Sequence, residues 1–181
     1  MKFLLSAFAV ASTISVAAHE LPEWQTIDAF AEGQLAPHAL VVPYRDNDTR
    51  AIRDFKYEDS PWYKSLNGKW KFHWVKGVDN RPAGFQNPAY DVSSWDLINV
   101  PGNWERQGYG TAVYTNINYE FDSEWAQFKK DAPRVPTATN EVGSYRRTFT
   151  IPDSWKGRRV VLCCEGAISF YYVWVNGKLL G

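Results

Sequence analysis

The sequence predicts an all-β fold, a sandwich of antiparallel strands. Three observations carry that expectation. Aromatic residues make up 16% of the 181 residues and include nine Trp, while Gly and Pro recur too often for long helices. Over residues 69–74, Trp70, Phe72 and Trp74 alternate with Lys69, Lys71 and His73. That is the period of a strand with one face turned to a core. Asn67-Gly68 and Asn176-Gly177 lie beside apolar runs and are turn signals.

Taken in order, residues 1–18 have the pattern of an export signal. Lys2 is the only early charge, an apolar run follows over 3–10, and Val16 and Ala18 suit cleavage before His19,. The run is too short and too interrupted for a membrane span. The expected location is therefore periplasmic or secreted. Residues 19–60 are polar and broken by Pro22, Pro37 and Pro43, and read as an extended N-terminal arm lying over a neighbour. Asn47-Asp48-Thr49 fits a glycosylation sequon, a triplet with little specificity on its own.

Residues 61–181 are expected to form the sandwich. The strand over 69–75 should have one aromatic face and one wet face, with His73 an ordinary surface residue on the second. Residues 77–94 are loop, with Pro82, Gly84 and Pro88. A short strand over 95–100 then delivers residues 100–121, VPGNWERQGYGTAVYTNINYEF, which are too irregular for a helix and too polar for a core strand. Gly102, Gly108 and Gly110 permit turns, and Pro101 holds Val100 extended. Between them stand Trp104, Tyr109, Tyr114 and Tyr119, with the amides Asn103, Gln107, Asn116 and Asn118. Flat rings cover the apolar face of a sugar and amides bond its hydroxyls, so a sugar-facing loop is one reading. The other is that the rings plug the loop onto a sheet.

Residues 120–136 carry charges that suit a solvated face. Strands are expected over 143–151, 159–164 and 170–175, with Pro152 ending the first and a tight connection at 153–157. The 159–164 run is apolar on both faces, as for a strand buried in a sandwich. The hairpin signal at Asn176-Gly177 is followed by only four residues, fewer than the five or six of a usual strand. The sandwich is thus expected to be incomplete at the C-terminus, with a bare hydrophobic edge.

Charge and metal chemistry are quickly bounded. Twenty basic residues balance twenty acidic ones for a formal net charge of +0, which leaves no basic face for nucleic acid. His19, His38 and His73 are isolated in the chain, and no metal-ligand spacing occurs. Cys163 and Cys164 are adjacent, so on a strand they point to opposite faces and form no ordinary bridge to each other. They are expected to be small buried residues.

Four motifs in order, SLNGKWKF, VPGNWERQGYGTAVYTNINYEF, VGSYRRTFTIP and YVWVNGKLLG, resemble the N-terminal sugar-binding domain of glycoside hydrolase family 2, most closely the large β-galactosidases. The resemblance covers residues 21–181. It implies a jelly-roll, galactose-binding-like β-sandwich beside a catalytic barrel, with a galactoside or galactose-containing glycan as ligand. It places Asn116 against the galactose and Ile117 as an apolar pocket neighbour, with Trp104 and Tyr114 as support for the loop. The arm resembles a segment through which the family's enzymes form homo-oligomers. No cofactor is implied for this chain; Mg and Na ions belong to full-length relatives. Cys163, Cys164, Ile168, Phe170 and Glu141 depart from the family pattern. Phe170 stands where a small residue is usual, and over-packing there costs about 1–3 kcal/mol.

The family's chemistry is retaining hydrolysis by two carboxyls about 5 Å apart. The resemblance puts both on the barrel, which takes roughly 250 residues, so no catalytic residue is assigned in this chain. Three readings follow: part of an exported β-galactosidase, inactive alone; a stand-alone carbohydrate-binding module; or a structural fragment complementing a separate barrel chain.

Overall fold

The computed structural model describes residues 22–26, 31–45, 49–54, 56–112, 135–168 and 170–181. Residues 1–18, expected to be an export signal, Asn47 and Asp48 of the sequon, and the span 113–134 lie outside the described residues. Among the described residues the fold is all-β. Strands β1 (Gly68–Lys76), β2 (Asp96–Val100) and β3 (Glu141–Arg146) form an antiparallel sheet in the order β2-β1-β3. Strands β4 (Trp174–Val175) and β5 (Lys178–Leu179) form a separate hairpin. The only α-helix among the described residues is α1, Thr49–Arg53.

The alternation of β1 sets the core. In register, Trp70 faces Ile98, and Phe72 faces both Asp96 and Tyr145, so these side chains share one face of the sheet. Phe72 and Ile98 are each only 1% exposed. The opposite face is not wet, contrary to expectation. His73 is half-buried and stacks on Trp95, with ring centroids 5.4 Å apart and an interplanar angle of 24°. Trp95 also meets Phe85 and Tyr90. The loop from β1 to β2 folds back to cover that face, which the alternation within β1 alone does not reveal.

Two features hold this loop. Arg146, at the end of β3, donates to the carbonyls of Tyr90 at 2.8 Å and of Pro88. Lys71 Nζ donates to the carbonyls of Ser93 and Trp95, both at 2.8 Å. A further turn forms where Asp91 accepts from the Ser93 backbone N–H and hydroxyl. Those bonds hold the Asp91 carboxyl below its ordinary range,. Phe85 then meets Trp174 edge-on at 5.7 Å, so the hairpin is tied to the covered side of the sheet.

β3 ends earlier than the alternation over 143–151 predicts. Arg147 explains the divergence: its Nη1 donates to the carbonyls of Leu66 and Asn67 at 2.7 and 2.8 Å, and its guanidinium lies over Trp70. The chain thus leaves the sheet to cap the turn before β1, and Phe149 and Ile151 are exposed. The expected connection at 153–157 is a single 3-10 turn, Asp153–Trp155.

The strand expected over 159–164 does not form, and of 170–175 only Trp174–Val175 is strand, with Val173 also backbone-bonded to Leu180 and Gly181. A strand apolar on both faces needs a ladder neighbour and a layer on each side, and the described residues supply neither. Cys163 and Cys164 are accordingly exposed free thiols and not buried. Phe170 is also exposed and meets Tyr172 at 5.1 Å, so it over-packs nothing. The Asn176-Gly177 turn does form, with φ of 51° and 81°. Positive φ at both central residues is the twist a two-residue hairpin requires.

The described parts of the arm touch the body at a few points. Gln25 Nε2 donates to the Val135 carbonyl at 2.8 Å and Tyr172 OH to Glu23 at 2.9 Å, while within the arm Ser60 Oγ donates to the Pro43 carbonyl at 2.5 Å. Burial of the Tyr172 phenol, and next its bond to Glu23, push its pKa up to about 12. An unfolded tyrosine titrates near about 10. The latch therefore contributes stability that is complete below pH of about 10 and is lost as pH rises through about 12. Tyrosinate absorbance should include a phenol that titrates at about 12, and Tyr172→Phe should remove that component. A normal titration of every tyrosine would break the latch assignment.

Candidate functional site

The site that the structure describes is residues 101–112, the first part of the aromatic and amide-bearing stretch and here called its root. The chain leaves β2 at Val100 and makes one 3-10 turn, Glu105–Gln107, closed by Gly108 at φ 95°. Two side chains pin this turn to the sheet.

The first is Gln107. Its Oε1 accepts from the Asn99 backbone N–H at 2.8 Å, and its Nε2 donates to the Asn99 carbonyl at 3.0 Å. The side-chain amide thus copies the paired donor and acceptor of a neighbouring strand, and it extends the ladder beyond β2. Gln107 is therefore a clamp for the loop. The sequence reading grouped it with amides free for sugar hydroxyls, and that grouping fails because both ends of this amide are occupied.

The second is Trp104. Its ring lies 6.2 Å from Phe72 and fills the space that a Cβ on Gly143 would need; such an atom would sit 2.7 Å from Trp104 Cε3 and 2.8 Å from Phe72 Cε2. Gly143 is opposite Trp74 in the register, so the indole is seated on the sheet where β3 has no side chain. Glycine inside a strand is the sequence signal for such an approach, and the sequence reading did not use it. The Trp104 Nε1 is buried with no hydrogen-bond partner among the described residues.

Tyr109 completes the root. It meets Phe72 edge-on at 4.8 Å, and its hydroxyl donates to Asp96 Oδ2 at 2.9 Å. Burial and then the Asp96 bond raise its phenol pKa. Burial, and then the Glu105 charge, raise that of Tyr145 beneath it. For Trp104 and Tyr109 the rings face the sheet, not solvent, so the packing alternative applies to these two. Tyr114, Asn116, Ile117, Asn118 and Tyr119 lie outside the described residues. The segment that carries them begins three residues beyond Gly110, itself closely apposed to the Glu141 carboxylate.

Chemically, the root is an aromatic-seated support with polar groups engaged in holding it. Among the described residues no group of three or more His, Cys, Asp or Glu could hold a metal. No described helix is long and apolar enough to cross a membrane.

Among the described residues, then, an antiparallel sheet seats the aromatic and amide-bearing stretch 101–112 of an all-β domain. The chain belongs to glycosyl hydrolases family 2: residues 63–181 match the model of that family's sugar binding domain. It is similar to the β-galactosidase of Priestia megaterium, 37% identical over 91% of this chain and 16% of that protein. It is 32% identical to the β-galactosidase of Halalkalibacterium halodurans over 90% of this chain and 16% of that protein. It is 34% identical to the β-galactosidase large subunit of Leuconostoc lactis over 85% of this chain and 25% of that subunit. The chain therefore spans about a sixth to a quarter of the length of these relatives.

Proposed function

We propose that this chain is the sugar-binding part of an exported β-galactosidase that hydrolyses terminal β-D-galactosyl residues with retention. Its own contribution is a substrate-contact loop and the sheet that supports it. One observation carries the reading: the sugar-binding family match runs over residues 63–181, and relatives named β-galactosidase align along 85–91% of the chain. The locked root gives the physical rationale. A side chain held in place before the ligand arrives loses less ordering entropy on binding, and Gln107 and Trp104 hold the point from which the loop departs.

In this reading Asn116 bonds a galactose hydroxyl and Ile117 lines the pocket beside it. The two glutamates that protonate the leaving oxygen and attack the anomeric carbon come from polypeptide outside this chain. The arm over 19–60 serves oligomer contacts, and the leader directs the protein to the periplasm or medium.

Two results test the proposal. The isolated 181-residue chain should hydrolyse no nitrophenyl β-galactoside; turnover by a contaminant-free preparation would refute the division of labour. In the full-length enzyme, Asn116→Ala should weaken galactoside binding by about 1–2 kcal/mol, the loss of one hydrogen bond with its partner left bare. Unchanged kinetics would remove Asn116 from the pocket.

A further inference from the structure

Two Asn-Gly pairs mark turns in this chain, and both continue identically: Asn67-Gly68-Lys69 and Asn176-Gly177-Lys178. Their surroundings differ. At the first, Arg147 Nη1 donates to the Leu66 and Asn67 carbonyls at 2.7 and 2.8 Å. The guanidinium is held over Trp70, whose indole N–H donates to the same Leu66 carbonyl at 2.8 Å. A Cβ on Gly68 would lie 3.4 Å from that Nη1, so the cation flanks the peptide unit joining Asn67 to Gly68. Asn67 is exposed, and among the described residues its side-chain amide makes no hydrogen bond. At the second pair, Asn176 and Gly177 are held at φ of 51° and 81° in the hairpin. Pro88 backs Gly177, where a Cβ would lie 3.2 Å from Pro88 Cδ. Among the described residues no side chain donates to the Asn176 carbonyl.

We propose that Asn67 is a self-modification site, where Arg147 promotes conversion of the side-chain amide to aspartate and isoaspartate with water as the only co-reactant. The Gly68 amide gives its proton to solvent base, and its nitrogen attacks Asn67 Cγ. The N–Cγ bond forms, the Cγ–Nδ2 bond breaks, and ammonia leaves after taking a proton from solvent. Water then adds to either carbonyl of the five-membered imide and reopens it, to aspartate or to isoaspartate. No atom is oxidised or reduced. The difficult species is the deprotonated peptide. Amide resonance puts much of its charge on the Asn67 carbonyl oxygen, the atom to which the guanidinium already donates. A fixed charged donor stabilises such an oxygen more as charge develops on it.

The backbone favours the attack as well. Gly68 carries no side chain to obstruct its nitrogen. It is the first residue of β1, and its register partner Val100 is the last of β2. The reacting unit therefore sits at the open end of a ladder, where local opening costs least. Isoaspartate at position 67 would add a methylene to the main chain one residue before β1 and shift the carbonyl that holds Arg147.

The identical tripeptide at Asn176 is an internal control. The 181-residue chain is incubated in mildly alkaline buffer, folded and in concentrated urea, and the two tryptic peptides are followed by mass spectrometry for the gain of amide-to-acid conversion. In urea the two sites should convert at similar rates. In the folded chain Asn67 should convert faster than in urea, and at least about tenfold faster than Asn176, a factor equal to about 1.4 kcal/mol of barrier. Arg147→Gln should abolish the excess at Asn67 and leave Asn176 unchanged, whereas Arg147→Lys, which keeps a charged donor, should retain part of it. Folded-state rates that are equal, or higher at Asn176, would overturn the proposal. So would an excess that survives Arg147→Gln in a chain with native tryptophan fluorescence. Where Arg147→Gln does not fold, the unsubstituted chain decides: slower conversion of Asn67 when folded than in urea would overturn the proposal.

Discussion

Phe72→Ala should destabilise the domain by about 3–5 kcal/mol, the range for emptying a buried aromatic site. Phe72 is 1% exposed and meets Trp104, Tyr109 and Tyr145 at centroid distances of 6.2, 4.8 and 4.7 Å. Those partners come from the loop root and from β3, so removing the ring opens the contact between loop and sheet as well as the core. A domain's whole stability is commonly only about 5–15 kcal/mol, so the loss is a large fraction of it. Urea unfolding followed by tryptophan fluorescence measures it. A midpoint equal to that of the unsubstituted chain would place the core elsewhere.

Gly143→Ala is the second large expected effect, and its cause is the opposite one. The substitution adds a single methyl group, yet that group would meet Trp104 and Phe72 well inside van der Waals contact. Overpacking of this kind costs about 1–3 kcal/mol. The cost should fall chiefly on Trp104, because its indole is seated on the glycine and the loop can move whereas β1 and β3 are paired at Trp74 and Gly143. Two readouts separate this from general destabilisation. Trp104→Ala in the same background should recover part of the loss, since it removes the atoms the methyl meets. In the full-length enzyme, Gly143→Ala should raise the Michaelis constant for a galactoside, because the loop root shifts. Alanine accepted without loss of stability would show that Trp104 does not occupy this seat.

Both predictions concern residues that differ in how visible they are in the sequence. Phe72 stands in a six-residue alternating run, and its burial follows from the period. The seat at Gly143 depends on an indole 39 positions earlier in the chain. A glycine in a strand signals a close approach, but the approaching partner is chosen by the register of β3 on β1 and by the turn at Glu105–Gln107. Gln107 is a similar case. Its composition class, an amide in a loop, suits a sugar contact and a backbone clamp equally well. Only its distance to Asn99 decides between them.

The errors along the second half have one cause. Hydrophobic content over 159–164 and 170–175 is that of buried strands, and composition reports what a segment would gain from partners. It does not say whether partners are at hand. In the described residues they are not, so Val160 and Leu162 are exposed and the cysteines with them. His73 errs in the other direction. Its strand alternates cleanly, yet a loop rich in aromatics returns over the face that looked wet.

By itself the sequence determined the all-β class, the strand β1, the Asn176-Gly177 turn and the family, because each is written in local spacing or in ordered motifs. The tertiary structure alone decided that Trp104 and Tyr109 are seated on the sheet, that Gln107 is a clamp, and that both faces of β1 are covered. Periodicity is a property of neighbours along the chain, whereas burial and hydrogen-bond partnership are settled by segments that meet in space from tens of residues apart.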